Sequence, residues 1–251
     1  MTKKLIILKA GSKLPSLAGT RGDFEEWILE PMVLAEAQYQ VISIDPIAPL
    51  PELDTVAGVV VTGSSAMVTD GSDWIEHSAA WLKTAVQAGT PVLGICFGHQ
   101  LLAYALGGEV ADNPAGIEVG TVFTKLHPAA AADPLLQTLP RGLPVQASHK
   151  QAVLNLPEQA IRLASSEMDQ NHAFRYGEQA WGVQFHPEFS RDIVRAYIAY
   201  YAEALSAQGV DHRSLLETSR EASLSQQILE RFARLVFPKN EVLLQAASPG
   251  A

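Results

Sequence analysis

Pro91-Val92-Leu93-Gly94-Ile95-Cys96-Phe97-Gly98-His99-Gln100 is the stretch whose reading decides the fold. Its first half is a short apolar run entered through Gly89-Thr90-Pro91, and it reads as a buried strand. Its second half opens Gln100-Leu101-Leu102-Ala103-Tyr104-Ala105-Leu106, apolar at helical spacing, which Gly107-Gly108 ends in the manner of a helix C-terminus. Cys96 therefore sits at a strand-to-helix hinge, with Gly94 and Gly98 two residues to either side. This is G-x-C-x-G, the thiol counterpart of the G-x-S-x-G nucleophile elbow. So tight a turn strains the backbone at the nucleophile, and the glycines leave room for it. The sulfur is pushed out at the top of a sheet, at the positive end of a helix, where thiolate is favoured over thiol. The Phe97 N–H is free to donate to a developing oxyanion. A lone cysteine in an apolar strand is more often a small buried hydrophobe. The flanking glycines and the hinge decide for a nucleophile here.

Working outward, residues 5–8 read as a buried strand and 11–22 as a Gly/Pro/Ser-rich loop. Asp23 caps a helix over 24–38, with Glu26 in the capping-box position and Pro31 dividing it into two pieces. A strand at 41–44, a proline-rich linker at 46–51, a strand at 56–62 ending in Gly63-Ser64-Ser65, and a long amphipathic helix at 73–88 lead back to the elbow. This alternation predicts an α/β fold, flavodoxin-like and doubly wound, with a mostly parallel central sheet. Sites in such sheets form outside the carboxyl ends of the strands, so Gly63 and Cys96 are expected to meet. Beyond residue 108 the rhythm changes. A strand at 117–124, a short helix at 133–138 and short strands at 145–148, 161–164, 173–176 and 180–185 suggest an antiparallel β addition. Helices follow at 191–201 and 215–236, and a frayed tail at 246–251. The chain reads as a single domain over 1–251, with a core of about 1–205 and a C-terminal helical extension of about 206–251.

With 251 residues, 47% of them hydrophobic and 18% charged, the chain is ample for a packed core. A net charge of -9 without any Lys/Arg cluster argues against a nucleic-acid surface. The single cysteine excludes an intramolecular disulfide and a Cys-based zinc site, which fits a reducing cytoplasm. Met1-Thr2-Lys3-Lys4-Leu5-Ile6-Ile7-Leu8 is too short in its apolar core for a signal peptide and reads as a first strand. No apolar stretch approaches a membrane span.

The second informative stretch is Gly182-Val183-Gln184-Phe185-His186-Pro187-Glu188. Residues i and i+2 on an extended chain share a face, so His186 and Glu188 point the same way, with Pro187 holding the segment extended. A histidine beside a carboxylate is a base with an orienting partner, able to take a thiol proton and return it to a leaving amine. His77, His127, His172 and His212 lack such context and read as surface or hydrogen-bonded core residues.

Together, Gly94-Ile95-Cys96-Phe97-Gly98-His99-Gln100 and Gly182-Val183-Gln184-Phe185-His186-Pro187-Glu188 resemble the class I (triad) glutamine amidotransferases, in particular the glutaminase domain of GMP synthase and its stand-alone relatives. The resemblance runs from about residue 40 to residue 190. It implies that Cys96 is the nucleophile, His186 the general base and acid, and Glu188 its orienting carboxylate. It implies an oxyanion loop at Gly63-Ser64 acting with the Phe97 N–H, a substrate contact at Gln100, and a Ser148-His149 pair near the α-amino and carboxylate groups of glutamine. The implied reaction is hydrolysis of glutamine to glutamate and ammonia through a γ-glutamyl thioester on Cys96, without metal or organic cofactor.

Two departures from the family pattern bear on the substrate. The oxyanion loop reads Thr62-Gly63-Ser64-Ser65-Ala66 where the family has Gly-Gly-Pro-x-Ser. The pattern Ser-His-x-Asp reads Ser148-His149-Lys150-Gln151, without its acid. The Thr-Gly-Ser form resembles γ-glutamyl peptidases of the same fold. Glutamine or another γ-glutamyl compound is therefore the expected ligand, and a binding module without catalysis is the third reading. No phosphate loop of a synthetase is found in the sequence. Ammonia would then go to a synthase partner in trans, unless the enzyme is simply a hydrolase. The helix expected at 215–236 offers a face to such a partner, to a second copy in a homo-oligomer, or simply to the core.

Overall fold

The computed structural model describes residues 2–238. Its first half follows the expected alternation through β1 (Lys4–Lys9), α1 (Phe24–Met32), β2 (Tyr39–Ser43), β3 (Val56–Val61), α2 (Asp73–Gln87), β4 (Val92–Ile95) and α3 (Phe97–Ala105). The second half adds β5 (Glu109–Asp112), β6 (Glu118–Leu126), β7 (Gly142–His149), β8 (Gln151–Asn155), β9 (Ile161–Ser165), β10 (Ala173–Tyr176) and β11 (Ala180–Val183). It closes with α4 (Arg191–Tyr200), α5 (Ala202–Ala207), α6 (His212–Thr218) and α7 (Gln227–Val236). A nine-stranded sheet runs in the order β2-β1-β3-β4-β11-β10-β9-β6-β7, and β5 with β8 forms a separate two-stranded sheet. The pairings from β2 to β11 are parallel, and those from β11 to β7 are antiparallel. This is the flavodoxin-like, mostly parallel sheet with an antiparallel extension that the sequence suggested.

The two halves join at β11. It had the look of another short antiparallel strand, yet it pairs parallel with β4, with Gly182 opposite Gly94 and Val183 opposite Ile95. That register ends both strands at the same edge. The chain leaving β4 places Cys96, and the chain leaving β11 places His186.

Alternate residues of each inner strand enter different cores, as period-2 geometry requires. Leu5, Ile7, Val60, Leu93 and Ile95 pack with Trp181, Ile28 and, from α7, Ile228, Leu229 and Phe232. Ile6, Leu8, Val59, Val61 and Val92 face Trp74, Ile75, Phe97 and Leu101. α7 therefore buries one face against the central sheet. Complete burial of a side chain such as Phe232 is worth roughly 2 kcal/mol. No helix among the described residues is long and apolar enough to cross a membrane.

Several expectations are corrected. The helix at 24–38 stops at Met32, one residue after Pro31, and Val33 reverses the chain with φ 50°. The Asp23–Glu26 capping box forms as predicted. No helix forms at 133–138, where turns follow a 3₁₀ segment at Pro128–Ala132. The Asp133 carboxylate accepts hydrogen bonds from the Leu135 N–H and the Trp181 indole, each at 3.0 Å, an alternative to helical bonding. The strand expected at 180–185 ends at Val183. The helix at 215–236 is broken into α6 and α7, because the intervening chain docks on the sheet. There, Arg220 N–H donates to Thr121 Oγ1 at 3.0 Å, and its carbonyl accepts from Gln146 Nε2 at 2.8 Å. The tail at 246–251 lies outside the described residues.

Candidate active site

Cys96 stands between β4 and α3 with φ 52° and ψ -102°, a conformation that costs a non-glycine residue about 1–3 kcal/mol. Two hydrogen bonds hold it there: its N–H donates to the Val183 carbonyl at 2.9 Å, and its carbonyl accepts from Gln100 N–H at 3.1 Å. The flanking glycines are needed for close backbone packing. A Cβ on Gly94 would lie 2.2 Å from the Gly98 carbonyl oxygen, and one on Gly98 would lie 2.4 Å from that of Val61. The thiol is 6% exposed and donates to the Ser148 carbonyl at 3.6 Å. Phe97 N–H, first in α3, has no acceptor within the helix.

His186 enters from the chain after β11 and is anchored by its N–H, which donates to the Gln146 carbonyl at 2.7 Å. Its Nδ1 lies 2.7 Å from Glu188 Oε1, and both side chains are buried. The ring stacks on Phe189 at 3.9 Å between centroids, and Phe24 lies nearly parallel beside both, 6.1 Å from His186 and 5.9 Å from Phe189. Burial opposes a charge on this ring. The Glu188 carboxylate and the neighbouring Cys96 outweigh burial, and the His186 pKa is pushed up to about 10. Burial, with the charge of Cys96, also pushes the Tyr201 hydroxyl up to about 12, and burial leads the rise at Tyr197, to which Cys96 and Glu188 add.

Gly63 follows β3 and faces the ring: a Cβ there would lie 2.9 Å from His186 Cε1. The Thr62 hydroxyl fixes this loop, accepting from Ala10 N–H at 3.0 Å and donating to the Gly63 carbonyl at 2.9 Å. Ser64 Oγ accepts from Ala66 N–H at 3.1 Å and so closes a turn of the same loop.

Other residues picked out by the sequence are held differently. Gln100 Nε2 donates to the Gln151 carbonyl at 2.7 Å and to Gln184 Oε1 at 3.0 Å, so both of its donors point into the protein. His149 turns inward as well. Its Nδ1 meets the Gln151 carbonyl at 2.9 Å and its Nε2 meets Glu118 Oε2 at 2.8 Å. Ser148 Oγ is buried without a partner among the described residues. His99 is fully buried against Gly182, and burial lowers its pKa to about 3, so it is a neutral core residue.

Sequence reasoning missed the aromatic backing of His186, although Phe189 follows Glu188 directly and Phe24 opens the capped helix. It also missed Glu118, whose position in β6 carries no spacing signal. Glu118, His149 and His172 gather ligand atoms within 4.8 Å of one another. The 2.8 Å from Glu118 Oε2 to His149 Nε2 is a hydrogen-bond distance, shorter than the roughly 3.3 Å edge that ~2.05 Å bonds give a tetrahedral zinc site. The cluster therefore shares protons. Separately, a cleft of about 990 Å³ between α1 and α7, lined by Trp27, Ile193 and Arg234, reaches Glu188 but not Cys96.

Comparison with known proteins gives consistent matches. The family model "Glutamine amidotransferase class-I" matches residues 21–198. Gamma-glutamyl peptidase 4 of Arabidopsis thaliana is 32% identical over 171 residues, 67% of this chain. That match spans 66% of the peptidase, just under two thirds of its length. One subunit of the glutamine-hydrolyzing GMP synthase of Methanocaldococcus jannaschii is 37% identical over 144 residues, 56% of this chain and 70% of that relative. A crystal structure of a glutamine amidotransferase from Methylobacillus flagellatus superposes with a TM-score of 0.71 at 25% identity, covering 100% of this chain and 98% of that one.

Proposed function

We propose a reaction from one premise: the chain belongs to the class I glutamine amidotransferase family. The reaction is thiol-dependent hydrolysis of a γ-glutamyl amide, with glutamine as the first substrate. Cys96 Sγ, its proton taken by His186, attacks the side-chain carbonyl carbon, and the Phe97 and Gly63 N–H groups receive the developing oxyanion. The carbon–nitrogen bond breaks, and His186 gives its proton to the departing ammonia. Water then loses a proton to His186 and attacks the thioester, releasing glutamate and restoring the thiol. One glutamine and one water become one glutamate and one ammonia. Glu188 keeps the ring oriented and its charge stabilised throughout. The observation that carries this reading is the buried His186–Glu188 pair at 2.7 Å beside a cysteine held at φ 52°.

A second reading, γ-glutamyl peptidase, is favoured by the Thr62-Gly63-Ser64 loop and by the likeness to gamma-glutamyl peptidase 4. The first step is then the same, with an amino acid or peptide amine leaving in place of ammonia. Where glutamine is the donor, its ammonia is available to a synthase partner in trans. The intact Cys96, His186 and Glu188 speak against a binding module without catalysis.

The test is incubation with glutamine and, separately, with γ-glutamyl dipeptides and glutathione, following ammonia and free glutamate. Turnover of at least one donor is expected, falling by about 10⁴-fold or more in Cys96→Ala. Full activity in that variant would overturn the reading.

A further inference from the structure

The end of β7 and the start of β6 hold a second buried histidine–carboxylate pair, His149–Glu118, and its hydrogen bonds fix its charge. His149 Nδ1 faces the Gln151 carbonyl oxygen at 2.9 Å. A carbonyl only accepts, so Nδ1 carries a proton. In a neutral ring Nε2 would then be a bare lone pair. That atom faces Glu118 Oε2, another acceptor, at 2.8 Å. Two acceptors at that separation in a buried site are satisfied only by a proton between them. With Glu118 ionised, His149 bears both protons and a positive charge.

The rest of the cluster agrees. The Ser166 hydroxyl donates to Glu118 Oε1 at 2.6 Å, so the other carboxylate oxygen is an acceptor too. His172 Nε2 lies 3.2 Å from Glu118 Oε2, and its Nδ1 lies 2.6 Å from the Thr124 hydroxyl. Burial opposes ionisation of Glu118, but its bond to His149 and the nearness of His172 hold its carboxyl far below the usual range. Burial likewise opposes a charge on His149, and the bond and charge of Glu118, with Asp169 and Cys96, outweigh it and raise its pKa. The titratable groups facing His149 are thus Glu118 from β6, His172 and Asp169 from the chain before β10, His99 from α3, and Cys96 from the elbow.

The carbonyl that receives the Cys96 thiol belongs to Ser148, the residue immediately before His149. We infer that His149 is a standing imidazolium, held by Glu118, which acts with His186 to stabilise the Cys96 thiolate. Resting on the reading of Cys96 as nucleophile, this makes His149 and Glu118 positioning residues of the same γ-glutamyl site. The missing acid of the Ser148-His149-Lys150-Gln151 segment is thereby supplied from a neighbouring strand. Because the cluster is buried, its effect on the sulfur is largely unscreened by salt.

Glu118→Gln isolates the charge. The amide can donate to a bare Nε2, so His149 becomes neutral while the hydrogen bonds survive. Cys96 is the only cysteine in the sequence, so alkylation by iodoacetamide reads its ionisation alone. In Glu118→Gln the midpoint of the alkylation pH profile should rise by about one pH unit, a tenfold slower reaction at a fixed pH below it. An unchanged midpoint in a folded variant would overturn the inference. Nitrogen-15 NMR of the wild-type ring is independent of how the variant folds: both nitrogens should be protonated at neutral pH, and a neutral tautomer would overturn the inference. A shifted midpoint without turnover of any γ-glutamyl donor would sink the proposed reaction and leave His149 standing. Cys96-dependent turnover with an unshifted midpoint would do the reverse.

Discussion

Two buried histidine–carboxylate pairs among the described residues are of nearly equal length, His186–Glu188 at 2.7 Å and His149–Glu118 at 2.8 Å. They differ in what the remaining ring nitrogen meets. Beyond Glu188, His186 meets Cys96, whose charge and bond help raise the ring's pKa. His149 has its remaining nitrogen tied to a backbone carbonyl. The first ring can exchange a proton with a substrate, and the second can only hold one. A short histidine–carboxylate distance alone therefore does not identify a catalytic base. What else the ring meets, a thiol in one case and a backbone carbonyl in the other, separates the two pairs.

Neutralising each carboxylate separately is the sharpest way to break this comparison. Glu188→Gln should have the larger effect, a fall of about 10²–10⁴-fold in kcat/KM, since orientation and charge are lost together. Its pH profile should change as well. The folded His186 pKa, about 10, lies above its ordinary 6.5. The pair therefore contributes stability fully below pH 6.5, and the contribution is lost as pH rises through about 10. Without the carboxylate, burial acts with less opposition, and the alkaline limb of activity should move down from near pH 10. A limb that stays in place would show that Glu188 does not set the ring's charge. Glu118→Gln should move the thiol's ionisation with only a modest loss of turnover.

A smaller change acts on one pair without touching either charge. Gly63→Ala would place a Cβ 2.9 Å from His186 Cε1, against a ring already stacked on Phe189. The ring must shift by a few tenths of an ångström. Activity should fall about tenfold, the scale of a displaced catalytic group, with His149 unaffected in the NMR spectrum. Unchanged activity would show that the ring tolerates displacement.

The sequence made the parallel half of the fold and the Cys96 elbow legible because each rests on local chemistry. Apolar runs, glycines at fixed offsets and a capping acid act within a few residues. The same holds for His186 and Glu188, which share one extended segment. Longer-range features were not legible. The parallel partnership of β11 with β4 is a tertiary choice, and the docking of Arg220 on Thr121 that breaks the last helix spans 99 residues. Glu118 reaches His149 from a facing strand, 31 residues away, and nothing around either residue marks the meeting. The segment at 133–138 failed for a mixed reason: the Asp133 carboxylate bonded the backbone two residues on and the Trp181 indole 48 residues away, in place of a helix.

The central claim is that a γ-glutamyl thioester forms on Cys96 whatever amine departs. Hydroxylamine competes with water for such an intermediate and yields γ-glutamyl hydroxamate. Its ratio to glutamate should be measured in parallel reactions with glutamine and a γ-glutamyl dipeptide. If both donors are turned over, the account predicts one common ratio, and no hydroxamate in Cys96→Ala. A ratio that follows the leaving group, or hydroxamate formed without the sulfur, would contradict it.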